Sequence, residues 1–123
     1  MKVSFDFDDT LDRETVQKYA AELIERGFEV WIVTSRYDTE TYIKIHHTEY
    51  HYGELANKDL FDVAKKLGIP EERIKFLGYA EKCNWFKKNK DFIFHLDDDW
   101  ILVRKINEQC VPVRGISYFH NPN

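Results

Sequence analysis

The sequence predicts an α/β domain built on a mostly parallel, five-stranded sheet of the Rossmann-like, three-layer kind. Three observations carry that expectation. Strand-like apolar runs alternate with amphipathic, helix-like runs along all 123 residues. The run Val30–Thr34, "VWIVT", is apolar at successive positions, as in a central strand covered by helices on both faces. Three of the strand-like runs end in polar clusters: Asp6-Phe7-Asp8-Asp9-Thr10, Thr34-Ser35-Arg36 and Asp97-Asp98-Asp99. In open α/β sheets, ligands bind beyond the carboxyl ends of the strands, where the strand order reverses.

The elements follow in order. Lys2–Phe7 is the first strand, with Val3, Phe5 and Phe7 alternating with Ser4 and Asp6. Asp12 is placed to cap a helix running to about Arg26. Its apolar stripe is Val16, Tyr19, Ala20, Leu23 and Ile24, and Gly27 is its stop. Phe28–Thr34 is the second strand. Residues 36–56 fit a helix capped near Asp38 or Thr39 and ending at Gly53, and their Tyr and His content suits a small, half-exposed flap. Asn57 then caps a helix that turns Leu60, Phe61, Ala64 and Leu67 inward and closes at Gly68 and Pro70. Arg73–Leu77 is a short third strand, Ala80–Lys88 a helix with Trp85 and Phe86 inward, and Phe92–Leu96 the fourth strand. Asp99 or a neighbour caps a helix carrying Ile101, Leu102 and Ile106. Val111–Tyr118 is the last strand, with Pro112 at its start or on an edge.

Length suits one domain, residues 1–123, with a substantial core; apolar residues make up 43%. The net charge of −4 argues against nucleic-acid binding through a strongly basic face, and the cluster Lys87, Lys88 and Lys90 reads as solvated helix surface. No apolar run approaches the length of a membrane span, and charges within the first six residues are unlike a signal peptide. Cys83 and Cys110 form no framework; free thiols in a reducing, cytoplasmic setting are the expectation.

Carboxylates gathered at one sheet edge repel one another and call for a cation or a shared proton. Oxygen-only donors suit a hard ion, and Mg²⁺ also accepts phosphate oxygens. A calcium loop of the EF-hand type fails in detail, because its sixth position would be Leu11 instead of Gly and its twelfth Gln17 instead of Glu. Each cluster alone has a bland reading as a turn or helix cap. Their recurrence at the ends of strands one, two and four favours a site.

Three stretches carry a resemblance. "VSFDFDDTL", an apolar strand followed by D-x-D-x-T, resembles the first motif of the haloacid dehalogenase superfamily of phosphatases. "VWIVTSR" resembles its second motif, a strand ending in Thr or Ser. "IFHLDDD" resembles its fourth, a strand ending in paired acids. The third motif is a lysine ahead of the fourth strand; Lys82 is chosen, with Lys58 and Lys75 as rivals. The resemblance covers most of the chain. It implies a Mg²⁺-dependent phosphomonoester hydrolase working through an aspartyl phosphate. Asp6 would be the nucleophile and Asp8 the acid and base. Thr34 would donate hydrogen bonds to the phosphoryl oxygens and Lys82 would balance the excess negative charge, both as catalytic groups, with Ser35 and Arg36 as further substrate contacts. Mg²⁺ would be held by Asp6, the Asp8 backbone carbonyl, Asp98 and, beside it, Asp97, leaving Asp99 as a helix cap. Thr10 would fix the loop. The acid at position 8 marks phosphatases and disfavours dehalogenation.

Family members gain selectivity from inserted caps, and this chain has no room for a substantial one. The implied site is therefore open, suiting a nucleic-acid phosphate end or a phosphoprotein, or a small phosphorylated molecule if a second subunit covers it. By analogy with small relatives, nucleotides or polynucleotide ends are the expected substrates, with sugar phosphates still open. Arg36 and Tyr37 are candidates to contact a phosphate or stack on a base. His47 and His51 have helical i, i+4 spacing, but His46, His47 and His51 lack a third ligand and read as a helix face. His95 reads as a core histidine and Cys83 as a small buried hydrophobe. The rival readings are a receiver-like signalling module and a non-catalytic Mg²⁺- or phosphate-binding domain.

Overall fold

Val3, Ser4 and Phe5 are wholly buried because they form the middle of the sheet. In the computed structural model, which describes residues 1–119, β1 (Lys2–Phe5) lies between β2 (Glu29–Thr34) and β4 (Phe92–Asp97). β3 (Ile74–Phe76) pairs with β2, and β5 (Arg114–Ser117) with β4. The order is β3-β2-β1-β4-β5, and every pair is parallel. The expected α/β class holds, with a sheet parallel throughout. The chain winds outward from β1 to β3, then crosses to β4, so the strand order reverses between β1 and β4. That is the crevice in which such sheets bind ligands.

Helices cover both faces. Val16, Ala20 and Leu23 of α1 (Glu14–Glu25) and Leu60 and Ala64 of α3 (Tyr50–Leu67) pack on Val3, Phe5, Val30 and Ile32. On the opposite face, Cys83 and Phe86 of α4 (Lys82–Lys88) and Ile106 of α5 (Trp100–Gln109) pack with Val33, Phe92 and Val113. Both strand-β1 neighbours are in register at its end: Phe5 is level with Ile32 on one side and Leu96 on the other. The next residues, Asp6 and Asp97, therefore emerge side by side, with the Asp6 N–H donating to Leu96 O at 2.9 Å.

Several boundaries differ from the sequence expectation. β1 stops at Phe5 because Phe7–Leu11 closes a tight turn, in which Leu11 N–H reaches Asp6 O and Asp12 N–H reaches Phe7 O, both at 3.1 Å. Asp12 ends that turn, and Arg13 takes the capping position of α1 without a side-chain bond. The helix expected to end at Gly53 breaks earlier, at His47, whose φ of 49° is left-handed. α2 (Thr39–His46), capped by Asp38, precedes the break; α3 follows and runs through both Gly53 and Asn57. Gly53 is needed for contact, since a Cβ there would strike the Ile43 side chain. Asn57 is buried within α3 and donates from Nδ2 to Tyr37 O at 3.0 Å. β5 is shorter than Val111–Tyr118, because residues 111–113 form a turn into it. Ile101 is exposed, and Val103 joins Ile106 on the inner side of α5. Among the described residues no helix is long and apolar enough to cross a membrane. None forms a cap over the strand ends; α2 has no buried residue and packs against α3.

Candidate functional site

Asp6 follows β1, Asp97 ends β4 and Asp98 follows it, while Lys82 opens α4 on the same side of the sheet. The Lys82 ammonium donates to Asp6 Oδ1 at 2.7 Å and to Asp97 Oδ2 at 2.8 Å, with its side chain only 5% exposed. One carboxyl oxygen from each of Asp6, Asp97 and Asp98 lies within 4.8 Å of the others. Behind them, His95 Nε2 meets Asp97 Oδ2 at 2.7 Å and His95 Nδ1 meets Ser4 Oγ at 2.9 Å. Asp97 Oδ1 accepts the Asp99 N–H at 3.0 Å. Of the three lysines considered for the third motif, only Lys82 reaches the acidic trio: Lys58 pairs with Asp62 on the exposed side of α3, and Lys75 is exposed on β3.

Burial and mutual charge perturb these groups strongly. Burial pushes the Asp6 carboxyl up to about 8; Lys82 pulls it back, and the neighbouring Asp97 and Asp98 push it up further. Burial also acts to raise Asp97, but the hydrogen bond from His95 and the Lys82 charge hold it well below the usual carboxylate range. Asp98 is raised by burial and by Asp97, against an opposing hydrogen bond with Asp6. Burial disfavours the Lys82 charge, yet Asp6 and Asp97 more than offset it, so its affinity for the proton rises. Burial lowers His95, which is therefore neutral and donates through Nε2–H to the Asp97 carboxylate. Its Nδ1 then accepts from the Ser4 hydroxyl.

Asp8 stands at the rim of the same cleft. Its carboxylate is gripped by Arg36, through Nε at 3.0 Å and Nη2 at 2.7 Å. The guanidinium also reaches Asp59 Oδ1 at 2.8 Å, Asp59 Oδ2 at 3.0 Å and Ala56 O at 3.1 Å, and lies over the Phe7 ring. The hydrogen bonds that Arg36 donates, first to Asp59 and then to Asp8, raise it beyond its ordinary value. Arg36, a candidate phosphate contact, here bridges Asp8 and Asp59.

Thr34, at the end of β2, is fully buried, and its Oγ1 accepts the Arg36 N–H at 3.2 Å. Ser35, not Thr34, lines the cleft together with Asp6, Asp8, Lys82, Asp97 and Asp98. Asp99 caps α5, accepting from Ile101 and Leu102 N–H groups at 3.1 and 3.2 Å, as expected. Thr10 is buried inside the Phe7–Leu11 turn. His46 lies against Tyr42, His47 forms the α2 break and His51 lies against Tyr52 on α3; among the described residues the acidic trio is the sole cluster with metal-ligand geometry. Cys83 is buried as expected, with Sγ 3.4 Å from that of Cys110. Asp59 was not anticipated, nor was the contact of His95 with Asp97. An alternation pattern shows that His95 faces inward one strand position pair before an acid, but Asp59 carries no local signal linking it to Arg36.

The acidic trio fits a hard divalent ion. Its donors are oxygens, and the nearby imidazole already spends its Nε2–H on Asp97. No family model, curated protein or solved structure matches the chain.

Proposed function

We propose that the protein is a Mg²⁺-dependent phosphomonoester hydrolase that works through an aspartyl phosphate. The observation that carries this reading is the buried Lys82 ammonium bridging Asp6 and Asp97, with Asp98 alongside, in the crevice between β1 and β4. Asp6, Asp97 and Asp98 would hold the ion, which supplies charge neutralisation between an anionic nucleophile and an anionic substrate.

The chain's own groups then divide the work. Lys82 holds Asp6 Oδ1, which fixes the rotation of the carboxyl and leaves Oδ2 for attack on phosphorus. As the Asp6–phosphorus bond forms, the ester P–O bond breaks, and protonated Asp8 gives its proton to the leaving alkoxide. Asp8, now a carboxylate, takes a proton from the water that next attacks phosphorus. Inorganic phosphate leaves, and Asp6 is restored. For this, Asp8 must turn from Arg36 toward the leaving group, and Asp59 keeps the guanidinium paired while it does so. Ser35, beside Lys82 in the cleft, is placed to donate to a phosphoryl oxygen; Thr34 supports the loop from beneath. A receiver-like role is less well supported, because receiver-type sheets run 2-1-3-4-5, whereas this sheet runs 3-2-1-4-5.

The test is phosphate release from p-nitrophenyl phosphate, with and without Mg²⁺, for the wild type and Asp6→Asn. Turnover that requires the ion and disappears in the variant is expected. Turnover unaffected by Asp6→Asn would refute the mechanism.

A further inference from the structure

A second cleft has a volume of about 460 Å³. Its size is in the range of small-molecule sites. Tyr37, Tyr42, His46 and Tyr79 line it, with Arg36 and Asn57. Arg36 links this cleft to the acidic one, since it lines the first and its guanidinium holds Asp8, which lines the second. Tyr79 also lines a third cleft, together with Ser35 and Lys82.

The rings are set by the backbone. The segment after β2 and the segment after β3 are joined by Leu77 N–H to Thr34 O at 2.9 Å, Gly78 N–H to Arg36 O at 3.0 Å and Tyr79 N–H to Ser35 O at 2.7 Å. Gly78 lets the Tyr37 ring lie on this junction, because a Cβ there would sit 3.0 Å from it. Tyr79 follows with a left-handed φ of 67°, costly for a residue with a Cβ. The outcome is an aromatic side chain 72% exposed, with its ring centroid 5.1 Å from that of Tyr37. Core packing does not explain this arrangement, since the Tyr79 ring contributes to no buried cluster.

We propose that this cleft receives the base of a nucleotide whose phosphate sits at Asp6 and Lys82. The proposal rests on the phosphohydrolase reading and names its substrate class. Aromatic walls favour a planar π-face, which every base presents. Two of the polar groups are already engaged, Arg36 by two carboxylates and Asn57 Nδ2 by Tyr37 O. The distance between the two chemistries also matters. No aromatic residue lines the acidic cleft itself. A nucleotide carries its ring one ribose away from its phosphate, so the ring is presented outside the acidic cleft, toward Tyr79, which lines both the aromatic cleft and the one that holds Ser35 and Lys82.

The experiment measures binding to the Asp6→Asn protein by titration calorimetry, so that no turnover intervenes. The ligands are adenosine 5′-monophosphate, ribose 5-phosphate, phosphotyrosine, and oligonucleotides with a 3′- or 5′-phosphate. Adenosine monophosphate is expected to bind about tenfold or more tightly than ribose 5-phosphate. Tyr79→Ala should collapse that ratio and Tyr79→Phe, which keeps the ring, should preserve it. A phosphorylated oligonucleotide that outbinds the mononucleotide assigns a chain end, and the reverse assigns the free nucleotide; either supports a base site. Equal binding of the nucleotide and the sugar phosphate, a ratio that survives Tyr79→Ala, or a preference for phosphotyrosine would overturn it. Turnover of p-nitrophenyl phosphate by the wild type tests the hydrolase reading separately: turnover with no base preference overturns only the nucleotide proposal.

Discussion

Replacing Asp6 by Asn should stabilise the metal-free protein, although it removes the candidate nucleophile. The reasoning is proton linkage. Asp6 has an ordinary value of 3.8 and is pushed up to about 8 in the fold. An acid raised on folding favours the folded state least at high pH: its full contribution is present below 3.8 and is lost as pH rises toward 8. At pH 7 the chain must either hold a proton that the unfolded state releases or bury a charge that the unfolded state solvates. Each pH unit is worth about 1.4 kcal/mol, so the cost at pH 7 is about 4 kcal/mol, and at pH 5 it is below about 2 kcal/mol. Asn has the same shape, keeps an acceptor for Lys82 and has no proton to lose. Urea unfolding followed by tryptophan fluorescence, with Trp31 and Trp85 packed in the core beside Phe92, reads this directly. The expected gain in Asp6→Asn is a few kcal/mol at pH 7, shrinking toward pH 5. Excess Mg²⁺ should narrow or reverse the difference by stabilising the wild type alone. A variant less stable than wild type at pH 7, or a difference that does not vary with pH, would refute the reasoning.

Three further outcomes follow from the same geometry. Mg²⁺ affinity, measured by titration calorimetry, should climb with pH until about 8, because the ion competes with the proton on Asp6; a flat profile would remove Asp6 from the ligands. Lys82→Met should cost about 3–5 kcal/mol in urea unfolding at pH 7 and abolish phosphate release, since it leaves buried carboxylates without their ammonium; a variant of wild-type stability would contradict the buried bridge. Asp99→Ala should cost about 1 kcal/mol by the same measurement, having lost its bonds to the Ile101 and Leu102 N–H groups, while Mg²⁺ affinity is kept; a large loss of affinity would instead make Asp99 a ligand.

What local sequence text controls was legible, and what distant packing controls was not. Alternation in Val3–Phe5 and the apolar run before Thr34 reveal the strands, and a parallel sheet forces their polar ends to one edge. That reasoning alone brings Asp6, Ser35 and Asp97 together. The α2–α3 boundary was misplaced because Gly53 and Asn57 look like a stop and a cap. Their helical positions are imposed by Ile43, which fills the space a Cβ would need, and by the Tyr37 carbonyl, which takes the Asn57 amide. The preference of both residues for helix ends is worth roughly 1 kcal/mol or less, so such contacts override it. The motif puts Thr34 first as the phosphoryl contact, whereas Ser35 lines the cleft, because which of the two faces it depends on how β2 ends. The Arg36–Asp59 pair spans 23 residues and two elements, beyond any local pattern.

The charges of the cleft also explain why a divalent ion suits it better than a second basic residue. With all three ionised, Asp6, Asp97 and Asp98 carry three negative charges against the one positive charge of Lys82. Without an ion, Asp6 is pushed up to about 8, chiefly by its burial and further by the neighbouring Asp97, against the pull of Lys82. A retained proton relieves the repulsion but disarms the oxygen that would attack phosphorus. Two added positive charges on the trio would balance the site and release that proton, so that cation binding and nucleophile activation become one event. A further lysine would bring only one charge and would occupy the carboxyl oxygens permanently. At the rim, Arg36 faces two carboxylates, Asp8 and Asp59, so the pairing there also remains one positive charge short. In the proposed mechanism that deficit would keep Asp8 from being locked: were it to leave the guanidinium, Asp59 would still be bonded there, and the half-buried cation would not be left unpaired.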